Sequence, residues 1–176
     1  VISSLQNPKI KQAVKLREAR ERKKNNLILI EGVKEVDMAI KAGMEIKTFF
    51  YCEELAGNKN NLIAEFGDKI ILVAEKVFKK MSYRENPDGF LALARPKLLK
   101  LADIKLSKNS LLIVLEAVEK PGNLGAVLRS ADAAGADAVM ICDKRTDIYN
   151  PNVIRASRGT VFTKQVAVAE SGETIK

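Results

Sequence analysis

The sequence contains no histidine and no tryptophan, and aromatic residues make up only 5 % of it. The missing imidazole excludes His-based triads, His general bases and His-containing metal sites. The shortage of aromatics argues against an aromatic-lined pocket for a small molecule. The only two cysteines, Cys52 and Cys142, stand 90 positions apart in apolar stretches. They read as core residues in a reducing compartment, and no metal site is expected. No apolar run approaches the roughly eighteen residues of a membrane span, and no charged-then-apolar leader opens the chain. A cytoplasmic, membrane-free protein is therefore expected. The first residue is Val1, so a trimmed N-terminus is expected as well.

What is present is an apolar fraction of 47 %, enough for a packed core, and a net charge of +8. The charge is concentrated. Between Lys9 and Lys24 stand eight basic residues (Lys9, Lys11, Lys15, Arg17, Arg20, Arg22, Lys23, Lys24) against Glu18 and Glu21. Such a patch attracts a polyanion and gives salt-sensitive binding through counterion release. A solvated helix face is the plainer reading, and the apolar stripe is too thin for a membrane surface.

Asn7-Pro8 predicts a helix start, with Ile10, Ala13 and Val14 as its apolar stripe. Strands are expected at Leu27 to Ile30, Ile46 to Cys52, Ile70 to Val73 and Phe90 to Ala94. Helices are expected at Val33 to Ile40, closed by Gly43, at Asn61 to Phe66 and at Glu75 to Met81. This alternation predicts a small α/β sandwich over 1–96. Arg95-Pro96 breaks it, and 97–109 reads as a linker. A second unit, 110–176, opens with Leu111 to Leu115, a continuous apolar run that predicts a parallel strand buried on both faces. A helix at Asn123 to Ala134, strands at Ala138 to Cys142 and Gln165 to Ala169, and a short helix at Pro151 to Ser157 follow. Ser171 to Thr174 looks like the opening of another helix.

The stretch from Leu115 to Ala131 runs from a strand end, through Pro121-Gly122, into a helix. Ligands of open α/β sheets bind beyond such strand ends. Asn123 reads as the N-cap. Arg129, six residues on, lies about 120° around the helix and can lean back over the turn. An ordinary strand–turn–helix whose glycines allow close packing explains the same residues. No G-x-G-x-x-G and no Gly-Lys-Ser/Thr occurs, so dinucleotide and P-loop signatures are absent.

The run PGNLGAVLRSADAAGADAV, from Pro121 to Val139, resembles the first sequence motif of the SpoU family of the SPOUT class. Asn150 to Gly159 resembles that family's next block. Ile30-Glu31-Gly32 and Asp88 to Leu93 are similar to the substrate-binding domain that often precedes it. The resemblance implies an α/β sandwich followed by the first part of an α/β-knot parallel-sheet domain. It implies ribose 2′-O-methylation of ribosomal or transfer RNA with S-adenosylmethionine, carried out by a homodimer. It further implies that Arg129 is catalytic and that Asn123 helps place it. Since a guanidinium scarcely gives up its proton, Arg129 is expected to stabilise charge on the ribose oxygen rather than act as a base. Arg17, Arg20, Lys23 and Lys24 are the expected RNA contacts. The family's two C-terminal motifs do not occur before Lys176. The cofactor-binding residues are therefore expected beyond it, none within this chain, and the chain as it stands is expected to be inactive. A non-catalytic RNA-binding protein working through its first domain is the competing expectation.

Overall fold

The computed structural model describes residues 1–57 and 67–174, which divide into two compact units, Val1–Pro96 and Lys97–Lys176. The expected helix at Asn61 to Phe66 lies outside the described residues.

In the first unit, α1 (Pro8–Lys15) begins as its sequence requires: Asn7 accepts the Lys9 amide at 2.9 Å and Pro8 takes the first helical position. The basic stretch is not one helix. A turn at residues 16–18 separates α1 from α2 (Ala19–Asn25). Then follow β1 (Ile28–Glu31), α3 (Val33–Lys41), β2 (Ile46–Tyr51), the single turn α4 (Glu53–Ala56), β3 (Ile70–Leu72), α5 (Glu75–Met81) and β4 (Phe90–Ala94). The strands form one mixed sheet in the order β1-β4-β2-β3. β4 runs antiparallel to both its neighbours, whereas β2 and β3 are parallel. β4 is central and buried along its whole length, as its unbroken apolar run FLALA demands. Ile10, Ala13 and Leu16 drive the α1 region onto the sheet, against Phe78, Met81, Leu91 and Leu93. Burying side chains of this size stabilises by about 1.5–3 kcal/mol each before entropy is counted.

The second unit holds a parallel sheet ordered β5-β6-β7, with β5 Leu112–Glu116, β6 Ala138–Cys142 and β7 Gln165–Ala169. Between them lie α6 (Pro121–Ala133), α7 (Pro151–Ser157) and the single turn α8 (Thr160–Thr163), and α9 (Ser171–Thr174) follows β7. Central β6 is almost wholly buried. β5 corrects the expectation of a strand buried on both faces. It lies at one edge of this sheet, with Leu112 37 % and Val114 52 % exposed. Its apolar run specified a strand but not its neighbours. The expected linker is fastened to this unit. Leu99 bridges to Ala167, Lys105 exchanges two 2.8 Å hydrogen bonds with the Gln165 amide, and the Tyr149 hydroxyl donates to the Lys97 carbonyl. No helix among the described residues is long and apolar enough to cross a membrane.

Candidate active site and nucleic-acid interface

The helix α6 begins earlier than its sequence suggested. Lys120 is the N-cap and Pro121 the first helical residue, so Asn123 lies inside the first turn. Its amide bonds the Lys120 carbonyl at 3.0 Å, and its side chain does not cap the helix. Proline's fixed φ and missing N–H made Pro121 the better start than Asn123.

Gly125 sets the geometry of this region. A β-carbon there would lie 2.6 Å from the Ala156 β-carbon, 2.8 Å from the Val153 carbonyl oxygen and 2.9 Å from the Ser157 amide nitrogen. The absent side chain lets α6 meet α7 nearly backbone to backbone, and that contact is the most extensive helix–helix contact in the unit. Leu124, Leu128 and Ala131 are buried alongside it. Arg129 follows Gly125 by four residues, on the same face one turn further along. Arg129 and Asn123 are both exposed, and among the described residues neither side chain forms a hydrogen bond or ion pair. No hydrogen bond joins the two side chains. The arginine is held by its backbone alone.

The block from Asn150 to Gly159 is ordered by its own caps. Asn150 accepts the Asn152 amide at 2.9 Å, Pro151 opens α7, and Arg158 ends it in the left-handed region at φ 54°. Arg155 donates to the Asn152 side chain at 3.3 Å and, like Arg158, is exposed.

At the carboxyl ends of the strands the structure gathers acids that sequence reasoning missed. Ser171 donates its hydroxyl to Asp143 at 2.6 Å, lies 3.3 Å from Glu116 and presents its amide to Asp143 at 3.2 Å. These bonds hold the Asp143 carboxyl below its usual range, whereas Glu170, hydrogen-bonded to Asp143 and repelled by its charge, is pushed up. Ala117 and Asp143, each just past its strand, share a positive φ near 48°, which signals sharp turns at both strand ends. No short-range pattern announces this cluster, because its members come from three separate strand ends.

In the first unit the structure redistributes the expected RNA contacts. Arg17 donates to the Lys80 carbonyl at 2.8 Å and to the Ser82 carbonyl, so it closes the end of α5 and is not a free phosphate contact. Arg20, Lys23 and Lys24 are exposed on α2. Arg22 is buried, donating to Leu16 and Arg17 carbonyls at 2.8 and 2.7 Å. A second network explains the Ile30-Glu31-Gly32 and Asp88-Gly89 signatures. Buried Glu31 accepts the Tyr83 amide at 2.7 Å, Glu35 pairs with Arg84 at 2.7 Å, and Asp88 accepts the Val33 amide at 2.9 Å. Gly32, at φ 106°, leaves the room that Glu35 and Arg84 fill. Desolvation pushes the Glu31 carboxyl above its ordinary value, outweighing these hydrogen bonds.

Among the described residues no group of three or more His, Cys, Asp or Glu side chains is placed to hold a metal ion.

The fold is shared with solved RNA methyltransferase structures. A crystal structure of an RNA 2′-O ribose methyltransferase superimposes with a TM-score of 0.85 at 40 % identity, over 99 % of this chain and 67 % of that one. An AdoMet-bound rRNA methyltransferase from Sinorhizobium meliloti gives a TM-score of 0.88 at 30 % identity, over 99 % and 66 %. Residues 7–92 match the MRM3-like substrate binding domain, and residues 110–176 match the SpoU rRNA methylase family. The chain belongs to the SpoU rRNA methylase family. It is 32 % identical over 161 residues to a 23S rRNA guanosine 2′-O-methyltransferase from Bacillus subtilis, covering 92 % of this chain and 62 % of that relative. It thus spans about three fifths of that relative's length.

Proposed function

We propose that this chain supplies the RNA-gripping unit and the ribose-activating helix of an S-adenosylmethionine-dependent RNA 2′-O-methyltransferase, acting on ribosomal RNA in the cytoplasm as a homodimer. The observation that carries the reading is Arg129. It is exposed, uncommitted among the described residues, and held on a helix that Gly125 fixes against α7.

A ribose hydroxyl is a poor nucleophile, so catalysis must stabilise negative charge growing on its oxygen as the methyl group is attacked. A guanidinium does this without changing protonation state, and its planar fork can hold a neighbouring phosphate together with the reacting oxygen. Arg129 therefore works as a fixed cation rather than a base.

S-adenosylmethionine needs a slot that buries an adenine ring and a methionine tail. The carboxyl ends of β5 to β7 offer Glu116, Asp143 and Glu170, with Asp143 already taken by Ser171.

The test is transfer of a labelled methyl group from S-adenosylmethionine to ribosomal RNA by the purified enzyme, followed by alkaline hydrolysis. A 2′-O-methyl group removes the nucleophile of that hydrolysis, so label should survive in an alkali-resistant dinucleotide. Label released as a methylated base monomer would reject ribose as the target.

A further inference from the structure

The helices α1 and α2 flank an open groove lined by Lys9, Lys11, Gln12, Lys15, Glu21, Lys24 and Asn25. Four lysines face one acid, and that acid already bonds the Asn25 side chain. None of the four lysine ammonium groups forms an ion pair or hydrogen bond among the described residues. Like charges gathered in a concavity focus a positive potential that favours an anion.

The walls are fixed before any ligand arrives. Arg22 ties α2 to the Leu16 and Arg17 carbonyls of the turn that follows α1, and Arg17 anchors that turn to the end of α5. Lys11 and Lys15 stand one turn apart on α1, about 6 Å along its axis, with Lys24 opposite on α2. Of the four contacts expected from sequence, only Lys24 lines this groove.

We propose that the α1–α2 groove seats the phosphate backbone of one RNA strand, with Lys11, Lys15 and Lys24 as its contacts. This rests on reading the protein as an RNA methyltransferase. Ammonium point charges and the Gln12 amide suit phosphates and sugars, which position an RNA without reading its sequence. An anionic membrane suits the groove poorly. The apolar residues of this segment, Ile10, Ala13 and Leu16, are buried in the core and leave no face to insert.

The experiment compares the triple variant Lys11→Ala, Lys15→Ala, Lys24→Ala with the charge-matched Lys34→Ala, Lys76→Ala, Lys80→Ala, whose side chains lie outside the groove. Binding to an RNA stem-loop is measured across a salt series, and binding to phosphatidylserine vesicles in parallel. The groove variant should lose about tenfold or more in RNA affinity and flatten the log–log salt slope by about two to three units, the control by about one unit at most. Equal losses in both variants would mean a diffuse field and overturn the groove while leaving the RNA reading intact. An unchanged groove variant overturns it too, as does a loss confined to vesicles. Failure of the unmodified protein to bind the RNA would overturn the RNA reading itself, and the groove with it. All six substituted side chains are exposed, so unfolding midpoints should stay near that of the unmodified protein.

Discussion

Replacing Gly125 by alanine sets two opposed effects against each other. In an ordinary helix interior, alanine in place of glycine is favourable by about 1 kcal/mol, because glycine loses more backbone entropy on folding. At Gly125 the new methyl would sit 2.6 Å from the Ala156 β-carbon and under 3.0 Å from two backbone atoms of α7. Backbone cannot rotate away as a flexible side chain would, so relief requires α6 and α7 to separate. Overpacking of this kind costs about 1–3 kcal/mol, and two backbone clashes put it at the upper end. The net expectation is a loss of about 2 kcal/mol, read from urea unfolding of the purified protein. Gly122→Ala is the internal control, since a β-carbon there meets nothing within 4 Å. It should be neutral or slightly stabilising. If Gly125→Ala were to stabilise as Gly122→Ala does, the close approach of α6 and α7 would be wrong, and with it the placing of Arg129.

Arg17→Ala should cost about 2 kcal/mol in thermal or urea unfolding, the scale of hydrogen bonds from a charged donor. RNA affinity of the folded variant should change little, because Arg17 serves the end of α5. Glu31→Gln tests the buried carboxylate. Its pKa is raised above the ordinary 4.5 by desolvation, so the folded state holds its proton more tightly than the unfolded chain. Stability tied to Glu31 is therefore full below the ordinary value and falls as pH climbs through the raised one. Unfolding midpoints measured from about pH 4 to 7 should shift in favour of Glu31→Gln as pH rises; a shift the other way would mean that the hydrogen bonds to Tyr83 and Arg84 dominate.

Local signals in the sequence fared better than neighbour relations. Glu75–Met81, Phe90–Ala94, Ala138–Cys142, Pro151–Ser157 and Gln165–Ala169 form at the bounds that periodicity and breaker residues mark. Asn7-Pro8 works because cap and first residue are adjacent in sequence. Errors arise where the outcome depends on distant partners. The apolar run of β5 could not tell an edge from a centre, and the bonds of Arg17 to the end of α5 depend on residues 63 and 65 positions away. The packing role of Gly125 was one of the readings open from sequence, but its reason lies in Val153, Ala156 and Ser157, nearly thirty residues away. The N-cap was misplaced by three positions, at Asn123 instead of Lys120, because proline outcompetes asparagine for the helix start. The Glu116, Asp143 and Ser171 cluster had no local signal at all.

The central claim is that Arg129 stabilises charge on the attacking ribose oxygen, and single-turnover methyl transfer by the whole enzyme, with saturating RNA and cofactor, tests it most directly. This regime isolates the chemical step from binding. Arg129→Ala should slow that step about a hundred- to a thousand-fold, the scale for loss of one donor aimed at a developing oxyanion. Arg129→Lys should recover little of it, because a point charge on a flexible stem lacks the planar fork. Near-normal single-turnover rates in Arg129→Ala would contradict the account and leave Arg129 as an RNA-docking residue.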